Sequence, residues 1–260
     1  MALIGAQMYT LRDFCTTPAE VASSCKRVKE MGYDGIQASA GCFNDIDPKE
    51  LKKILDDNGL VCAATHKPLD WLKDIDTAVQ WHQDAGCELT AIGGFGWNNT
   101  PREDWLKFIT EFNDLATKLR QRGLRVGYHN HSHEFAPFAQ DPTKIDPKEM
   151  PYQLLCDKLN DDVWFEVDTY WVAHAGADPA AWLEKFAGRL PAIHVKDMTV
   201  TFERVQKICE VGAGNLNWPR ILDVAKKLDV QWYLVERDSG DVEPFESLKI
   251  SINNLREMGL

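Results

Sequence analysis

Titratable side chains are concentrated in five short stretches of the sequence. The stretches are His66-Lys67, His129-Asn130-His131-Ser132-His133-Glu134, Glu166-Val167-Asp168, His194-Val195-Lys196-Asp197 and Glu236-Arg237-Asp238. Together they contain five of the seven histidines. Imidazole and carboxylate groups bind divalent cations and transfer protons. The stretches therefore predict a site for metal-assisted or acid–base chemistry, provided that the fold brings them together.

Within a strand, residues two apart point to the same side, which pairs His129 with His131, Glu166 with Asp168, and His194 with Lys196. Charged groups in a dry interior lose several kcal/mol of solvation, so they require mutual pairing or a cation. A mixed nitrogen and oxygen ligand set suits manganese, cobalt, zinc, iron or magnesium. The sequence predicts one divalent metal ion and does not choose among these metals.

Short apolar segments precede these stretches and alternate with segments of helical period, which is typical of a parallel sheet. The capping sequences Thr17-Pro18-Ala19-Glu20 and Asn217-Trp218-Pro219 mark helix starts between them. We predict eight strands: Leu3–Tyr9, Gly35–Ser39, Val61–His66, Leu89–Gly93, Arg125–His131, Trp164–Tyr170, Ala192–Lys196 and Tyr233–Glu236.

Eight strand–helix cycles in 260 residues predict a (β/α)₈ barrel that forms a single domain over residues 1–260. Functional groups of such barrels lie at the carboxyl ends of the strands, where the titratable stretches fall. An open doubly wound sheet is the alternative, but the chain has no G-x-G-x-x-G after its first strand.

Composition excludes several classes of function. The chain is 44% hydrophobic and 27% charged, and its net charge of −11 disfavours nucleic acid as a partner. The amino-terminal residues do not have the pattern of a leader, and no segment approaches the roughly 20 apolar residues that span a bilayer. We expect a cytoplasmic protein, without membrane contact, whose seven scattered cysteines are packing residues. A homo-oligomer is compatible with this composition.

Six strings occur in strand order: Tyr128-His129-Asn130-His131, Glu166-Val167-Asp168-Thr169-Tyr170-Trp171, Ala175-Gly176-Ala177-Asp178-Pro179, His194-Val195-Lys196-Asp197, Gly212-Ala213-Gly214-Asn215 and Val235-Glu236. Together with the opening Gly5 to Arg12, they resemble the sugar phosphate isomerase/epimerase family with a xylose isomerase-like TIM barrel. That superfamily also contains ketose 3-epimerases, inosose dehydratases and endonuclease IV.

The resemblance implies a divalent metal held by a glutamate, an aspartate, a histidine and a glutamate on strands five to eight. The last three positions are Asp168, His194 and Glu236. On strand five this chain departs from the epimerases, because His129 replaces the glutamate, and His131 is the other candidate ligand. The epimerase glutamates share proton transfer, so we expect Glu236 and His131 to be catalytic. His-x-His is reminiscent of the inosose dehydratase branch.

Five residues are candidates for substrate binding: His66, Trp97, Glu134, Trp171 and Lys196. Trp97 and Trp171 follow strands four and six, where an indole can stack on a sugar ring. Lys196 either polarises a substrate oxygen or forms a structural pair with Glu166, and Glu134 either contacts a sugar hydroxyl or faces solvent. The turn Gly212-Ala213-Gly214 either binds phosphate or simply precedes a helix, so phosphorylation of the substrate stays open.

The resemblance and the residues together predict a metal-dependent sugar isomerase or epimerase that acts on a ketose or keto sugar through a metal-stabilised enediolate. A metal-dependent lyase that dehydrates an inosose or 3-keto sugar is the alternative, because it shares the first proton transfer. An endonuclease IV-like nuclease would need three metals and a basic surface, which the charge of −11 disfavours. A barrel that binds a sugar without turnover is the non-enzymatic alternative.

Overall fold

The computed structural model describes residues 2–138, 143, 146 and 149–260. Within these residues eight parallel strands close into a barrel, in the order β1-β10-β7-β6-β5-β4-β3-β2. The strands are β1 Leu3–Gln7, β2 Gly35–Ala38, β3 Val61–His66, β4 Leu89–Ile92, β5 Arg125–His129, β6 Trp164–Asp168, β7 Ala192–Val195 and β10 Trp232–Val235. This arrangement confirms the predicted (β/α)₈ barrel.

The predicted strands overlap the observed ones, but several were too long at the carboxyl end. Predicted strands five and six extended to His131 and Tyr170, whereas β5 ends at His129 and β6 at Asp168. The cause is local, because the carboxylate of Asp168 accepts a hydrogen bond from the backbone N–H of Trp171 and begins a helix there.

Helices lie between the strands and begin where capping sequences occur. The predicted capping box is present, with the Thr17 hydroxyl accepting the Glu20 N–H, and Asn217 caps the helix that begins at Trp218. The α-helices are α1 Pro18–Glu30, α2 Pro48–Asn58, α3 Leu69–Leu72, α4 Ile75–Ala85, α5 Arg102–Gln121, α6 Pro151–Lys158, α7 Thr169–His174, α8 Pro179–Lys185, α9 Trp218–Lys227 and α10 Pro244–Glu257. Short 3₁₀ helices cover Met8–Phe14, Gly41–Asn44 and His133–Phe135.

An antiparallel hairpin that the sequence did not predict follows β7. It consists of β8 Asp197–Val200 and β9 Gln206–Cys209. Most of its residues are exposed or half-buried, and Phe202 at its tip is fully exposed. Because the hairpin buries no continuous apolar face, it leaves no alternating pattern in the sequence.

Two tryptophans fill the barrel interior near the amino ends of the strands. Trp164 and Trp232 pack there with small and aliphatic side chains of the neighbouring strands. Glycine provides the necessary space, because a Cβ on Gly127 would overlap the indole of Trp164, and one on Gly35 would lie 2.9 Å from the ring of Trp232. This end of the barrel is therefore a packed apolar core.

The helices and the cysteines bear on the predictions about membrane contact and cysteine packing. None of the helices in the described residues is long and apolar enough to cross a membrane. All seven cysteines are free, and four of them, Cys15, Cys25, Cys62 and Cys87, are buried.

Candidate metal centre and adjoining cavity

Four buried side chains converge at the carboxyl ends of the strands. One ligand atom each from His129, Asp168, His194 and Glu236 lies within 4.8 Å of the others. Nε2 of His129 is 3.4 Å from Oδ2 of Asp168, and Nδ1 of His194 is 3.1 Å from Oε2 of Glu236 and 3.6 Å from Oδ2 of Asp168. The sequence prediction named the same four residues.

Strand register explains why these side chains meet. Asp168 is paired with His194 across β6 and β7, and His129 is paired with Glu166 across β5 and β6. Asn130 holds this edge together, because its Oδ1 accepts the N–H of Asp168 at 3.0 Å and the hydroxyl of Tyr152 at 2.9 Å. The register therefore places Asp168 beside His194, and His129 beside Glu166, two residues before Asp168 on β6.

Hydrogen bonds around His194 identify the nitrogen that faces the carboxylates. The amide nitrogen of Gln37 donates to Oε1 of Glu166 at 2.7 Å, which turns the amide oxygen toward Nε2 of His194, also at 2.7 Å. Nε2 must then carry the proton, and Oε2 of Glu166 lies 3.2 Å from it. Nδ1 is consequently the nitrogen directed at Asp168 and Glu236, and the candidate ligand atom.

Glu166 belongs to a second, adjoining group. Its Oε2 lies 2.5 Å from Nε2 of His66, so that His66, Glu166 and His194 form a connected set. Glu166 is fully buried, whereas His66 is partly exposed to the cavity described below. The buried carboxylate thus orients both imidazoles.

Lys196 does not pair with Glu166, and that prediction was wrong. Nζ of Lys196 lies 3.1 Å from Oδ2 of Asp168, 2.7 Å from Oε2 of Glu236 and 2.5 Å from Oδ2 of Asp238. Lys196 follows the end of β7, so its side chain lies among the carboxylates at the strand ends, beyond the level of Glu166.

The charge states in this cluster result from burial and from neighbouring charges. Burial raises the pKa of the carboxyls of Asp168 and Glu236, but Lys196 and the nearby histidines outweigh it and hold both pKa values well below normal. Burial, together with the charge of His194, lowers the pKa of His129. Burial lowers the pKa of His194, but Glu166 and Glu236 outweigh it and raise that pKa well above normal, so a metal must displace the proton on Nδ1. Asp168, Glu236 and His129 are already in the forms that bind metals, two carboxylates and a neutral imidazole.

The cluster fits a divalent cation. Nε2 of His129 and Oδ2 of Asp168, which face each other across the cluster, have no hydrogen-bond partner among the described residues. Two imidazole nitrogens and two carboxylates are a ligand set that manganese, cobalt, zinc or iron accepts. The buried polar atoms thereby gain the partner that burial demands.

A cavity of about 270 Å³ opens directly above the cluster. Five of the ten predicted site residues line it, namely His66, Trp97, His129, His131 and Glu236, whereas Glu134, Asp168, Trp171, His194 and Lys196 do not. The sequence prediction missed Gln7, Tyr9, Ser39, Ala40, Gly93 and Asp238. Two of these residues could have been predicted. Gln7 is the last residue of β1, and Asp238 lies two residues after Glu236.

Aromatic rings surround His131 at the cavity wall. The ring centroids of Trp97 and Trp171 lie 4.6 Å and 5.2 Å from that of His131, and Trp97 remains 57% exposed. Burial lowers the pKa of His131 to about 2, and its Nδ1 has no partner among the described residues. His131 is therefore a neutral imidazole with an available nitrogen.

Glu134 is fully buried, so the solvent-facing alternative was wrong. Its carboxyl accepts the Tyr128 hydroxyl at 2.9 Å and the N–H of His131 at 2.8 Å. Burial raises the pKa of Glu134 to about 8. This side chain supports the turn that carries His131.

The turn at Gly212–Gly214 already encloses a carboxylate of the chain itself. The N–H groups of Gly212 and Gly214 donate to Oδ2 of Asp197 at 2.9 Å and 3.0 Å, as does Nε1 of Trp218. The N–H groups of Met198 and Leu216 donate to Oδ1. The structure therefore favours the structural turn over a phosphate site.

The sequence matches the xylose isomerase-like TIM barrel family over residues 25–258, and the chain belongs to this family. An inosose dehydratase from Glaesserella parasuis is 25% identical over 169 residues, which are 55% of this chain and 52% of that protein. The chain spans about half the length of the curated relatives it matches.

Solved structures share the fold along almost the whole chain. A sugar phosphate isomerase/epimerase from Parabacteroides distasonis superposes with a TM-score of 0.82 at 21% identity, covering 98% of this chain and 97% of that one. A xylose isomerase-like TIM barrel protein from Mycobacterium smegmatis, in complex with magnesium, gives a TM-score of 0.72 at 14% identity, with 99% and 97% covered.

Proposed function

We propose that this member of the xylose isomerase-like TIM barrel family is a metal-dependent sugar isomerase or epimerase whose substrate is a ketose or keto sugar. One observation carries the proposal: the ligand atoms of His129, Asp168, His194 and Glu236 converge within 4.8 Å beneath a cavity lined by histidines and Trp97. A small carbohydrate fits a cavity of this volume and polarity, with Trp97 beside its apolar face.

A bound divalent cation would neutralise the negative charge that develops on a ketone oxygen when the neighbouring carbon loses its proton. We assign the proton transfer to Glu236 and His131, which both line the cavity. Oε2 of Glu236 contacts His194 and Lys196, so its Oε1 is the oxygen proposed to accept the proton. Return of a proton to the adjacent carbon gives isomerisation, and return to the opposite face gives epimerisation.

Dehydration is the second candidate reaction, and two observations favour it. Strand β5 presents His129 and not the glutamate expected of an epimerase, and the curated relative that is 25% identical is an inosose dehydratase. In that reaction the carbon beside the ketone gives its proton to Glu236. The β-hydroxyl then leaves as water with a proton donated by His66, and a double bond forms between the two carbons.

Hydrogen exchange tests the proposal. The protein, loaded in turn with manganese, cobalt, zinc or magnesium, is incubated in D₂O with a panel of ketoses, inososes and 3-keto sugars. Deuterium at the carbon beside the ketone is the expected result, because both candidate reactions begin there. A product that has lost one water identifies dehydration. Absence of exchange across the panel, in protein that contains stoichiometric metal, would contradict the proposal.

Two matched variants assign the histidines. His129→Ala is expected to lose the metal, whereas His131→Ala is expected to retain the metal and lose exchange. The opposite result would interchange the two roles. His129→Glu restores the glutamate of the epimerases, and we expect it to increase reversible epimerisation at the expense of elimination.

A further inference from the structure

The ammonium group of Lys196 contacts the oxygens that the proposed metal site needs. Oδ2 of Asp168 faces Nε2 of His129 and Nδ1 of His194, and the same oxygen lies 3.1 Å from Nζ of Lys196. Oε2 of Glu236 faces Nδ1 of His194 at 3.1 Å and Nζ of Lys196 at 2.7 Å. The lysine and the two histidines therefore share one pair of carboxylate oxygens.

Two cations cannot both be held closely by these oxygens at low cost. Lys196 and Asp168 are fully buried and Glu236 is nearly so, and charges repel or attract more strongly there than in water. A divalent cation at the histidines would meet a positive ammonium a few ångströms away. Metal binding is consequently opposed by Lys196 unless the ammonium moves.

Asp238 can retain the ammonium group when it moves away from Asp168 and Glu236. Its Oδ2 lies 2.5 Å from Nζ of Lys196, and its side chain is 30% exposed where it lines the cavity. Lys196 itself is fully buried and does not line the cavity. A lysine retained by Asp238 alone would therefore be nearer to a bound sugar than a lysine shared by three carboxylates.

We propose that Lys196 is an internal counter-ion that competes with the divalent cation for Asp168 and Glu236, and that metal binding displaces its ammonium group from these two carboxylates and leaves it paired with Asp238 alone at the cavity wall. This inference rests on the metal site of the proposed function. It makes binding of a substrate oxygen by Lys196 dependent on prior metal loading. Lys196 is thus a positioning residue that couples the two binding events.

Metal affinity in Lys196→Met, measured calorimetrically with Mn²⁺, tests the competition. We expect at least tenfold tighter binding than in the wild type, because the variant removes the charge and keeps a similar side-chain length. Lys196→Arg retains the charge and should not show this gain. Lys67→Met is the matched control, since Lys67 is also buried but donates to the carbonyls of Phe43 and Asn44, and it should remain within twofold of the wild type.

A double-mutant cycle tests the role of Asp238. Asp238→Asn should weaken Mn²⁺ binding in the wild type because it removes the acceptor that retains the displaced ammonium. In the Lys196→Met background, the loss of Mn²⁺ affinity caused by Asp238→Asn should be at least fivefold smaller. Equal effects in both backgrounds would show that Asp238 attracts the metal directly, and would overturn the retention of the displaced ammonium by Asp238.

If Lys196→Met does not fold, NMR of the lysine ammonium groups in the wild type tests the same displacement. Among the described residues Lys67 and Lys196 are the buried lysines, so ¹⁵N-labelled wild-type protein should give an ammonium signal for each, and the one that disappears in Lys67→Met belongs to Lys67. Addition of Zn²⁺ should shift the other signal in proportion to occupancy, and an unchanged signal at saturation would overturn the inference.

The inference and the proposed function fail in different ways. If neither the wild type nor Lys196→Met binds Mn²⁺ or Zn²⁺, the proposed metal site is wrong. If the wild type binds Mn²⁺ and Lys196→Met binds it no more tightly, only the competition is wrong.

Discussion

The two ends of the barrel interior are built from the same strands and have opposite chemistry. On β6, Trp164 lies at the amino end and Asp168 at the carboxyl end, four residues later. On β10, Trp232 likewise begins the strand, and Glu236 follows its last residue. One end is an apolar core, and the other is a cluster of buried charges beneath an open cavity.

This difference shows how a barrel separates stability from function. Both ends obey the same inward alternation, so the position of a residue along the strand decides which role it has. At the amino end, tight packing makes volume the sensitive quantity. At the carboxyl end, each buried charge is stabilised by its charged partners, so removal of one charge should affect the site more than a change in side-chain volume.

Substitution of the proposed catalytic carboxylate should give the largest effect and should separate the two ends most clearly. Glu236→Gln is expected to reduce kcat by about 10²–10⁴-fold, because it removes both a metal ligand and the proposed proton acceptor. The measurement is turnover alongside urea unfolding. If turnover falls only in proportion to the fraction of unfolded protein, then Glu236 contributes to stability and the proposed difference between the two ends is wrong.

The corresponding change at the amino end should cost stability instead. Trp164→Ala is expected to lower the free energy of unfolding by about 3–5 kcal/mol, because it leaves a large void beside Gly127. Urea unfolding measures this loss, and calorimetry with Mn²⁺ should find the affinity of the folded protein unchanged. Metal affinity that falls together with stability would show that the two ends are coupled.

Glu134 is a buried acid at the functional end of the barrel, and its ionisation at higher pH should lower the free energy of unfolding. Its pKa of about 8 lies above the value of an unfolded chain, so folded protein binds the proton more tightly. The free energy of unfolding should then fall as the pH rises from about 4.5 to about 8. Glu134→Gln lacks this term and should gain about 1–3 kcal/mol relative to wild type between pH 5 and pH 8. A constant difference across this range would contradict the prediction.

Trp97 should give the smallest effect. Its ring is more than half exposed at the cavity and contributes little to the core. Trp97→Ala is expected to raise KM about tenfold, or roughly 1.4 kcal/mol, with kcat nearly unchanged. Steady-state kinetics on the best substrate of the panel will measure both, and a kcat loss equal to that of Glu236→Gln would contradict a binding role.

The strand cycle and the four converging ligands could be predicted because they depend on local patterns. Alternation places His129 and Asp168 inward at strand ends, and a closed parallel barrel brings successive strand ends together. Neither inference requires knowledge of a particular loop. The metal-binding role of these residues stays a prediction.

The partners of the charged groups could not be predicted from the same patterns. Lys196 reaches Asp238 and Glu236 because its side chain extends past the strand end, a distance that alternation does not encode. Burial of Glu134 depends on a turn that folds back over Tyr128. The Asp197 carboxylate occupies a turn 15 to 17 residues later in the chain. Each of these contacts is set by loop geometry.

Enclosure of Asp197 by the Gly212–Gly214 turn determines where this barrel can change in length during evolution. Five donors hold that carboxylate, and it follows the strand that carries His194, so an insertion in the turn would disturb a proposed metal ligand. Phe202, at the tip of the intervening hairpin, is fully exposed, and added residues there would disrupt none of those five bonds. Insertions should therefore accumulate at the hairpin tip, while the length of the turn stays fixed.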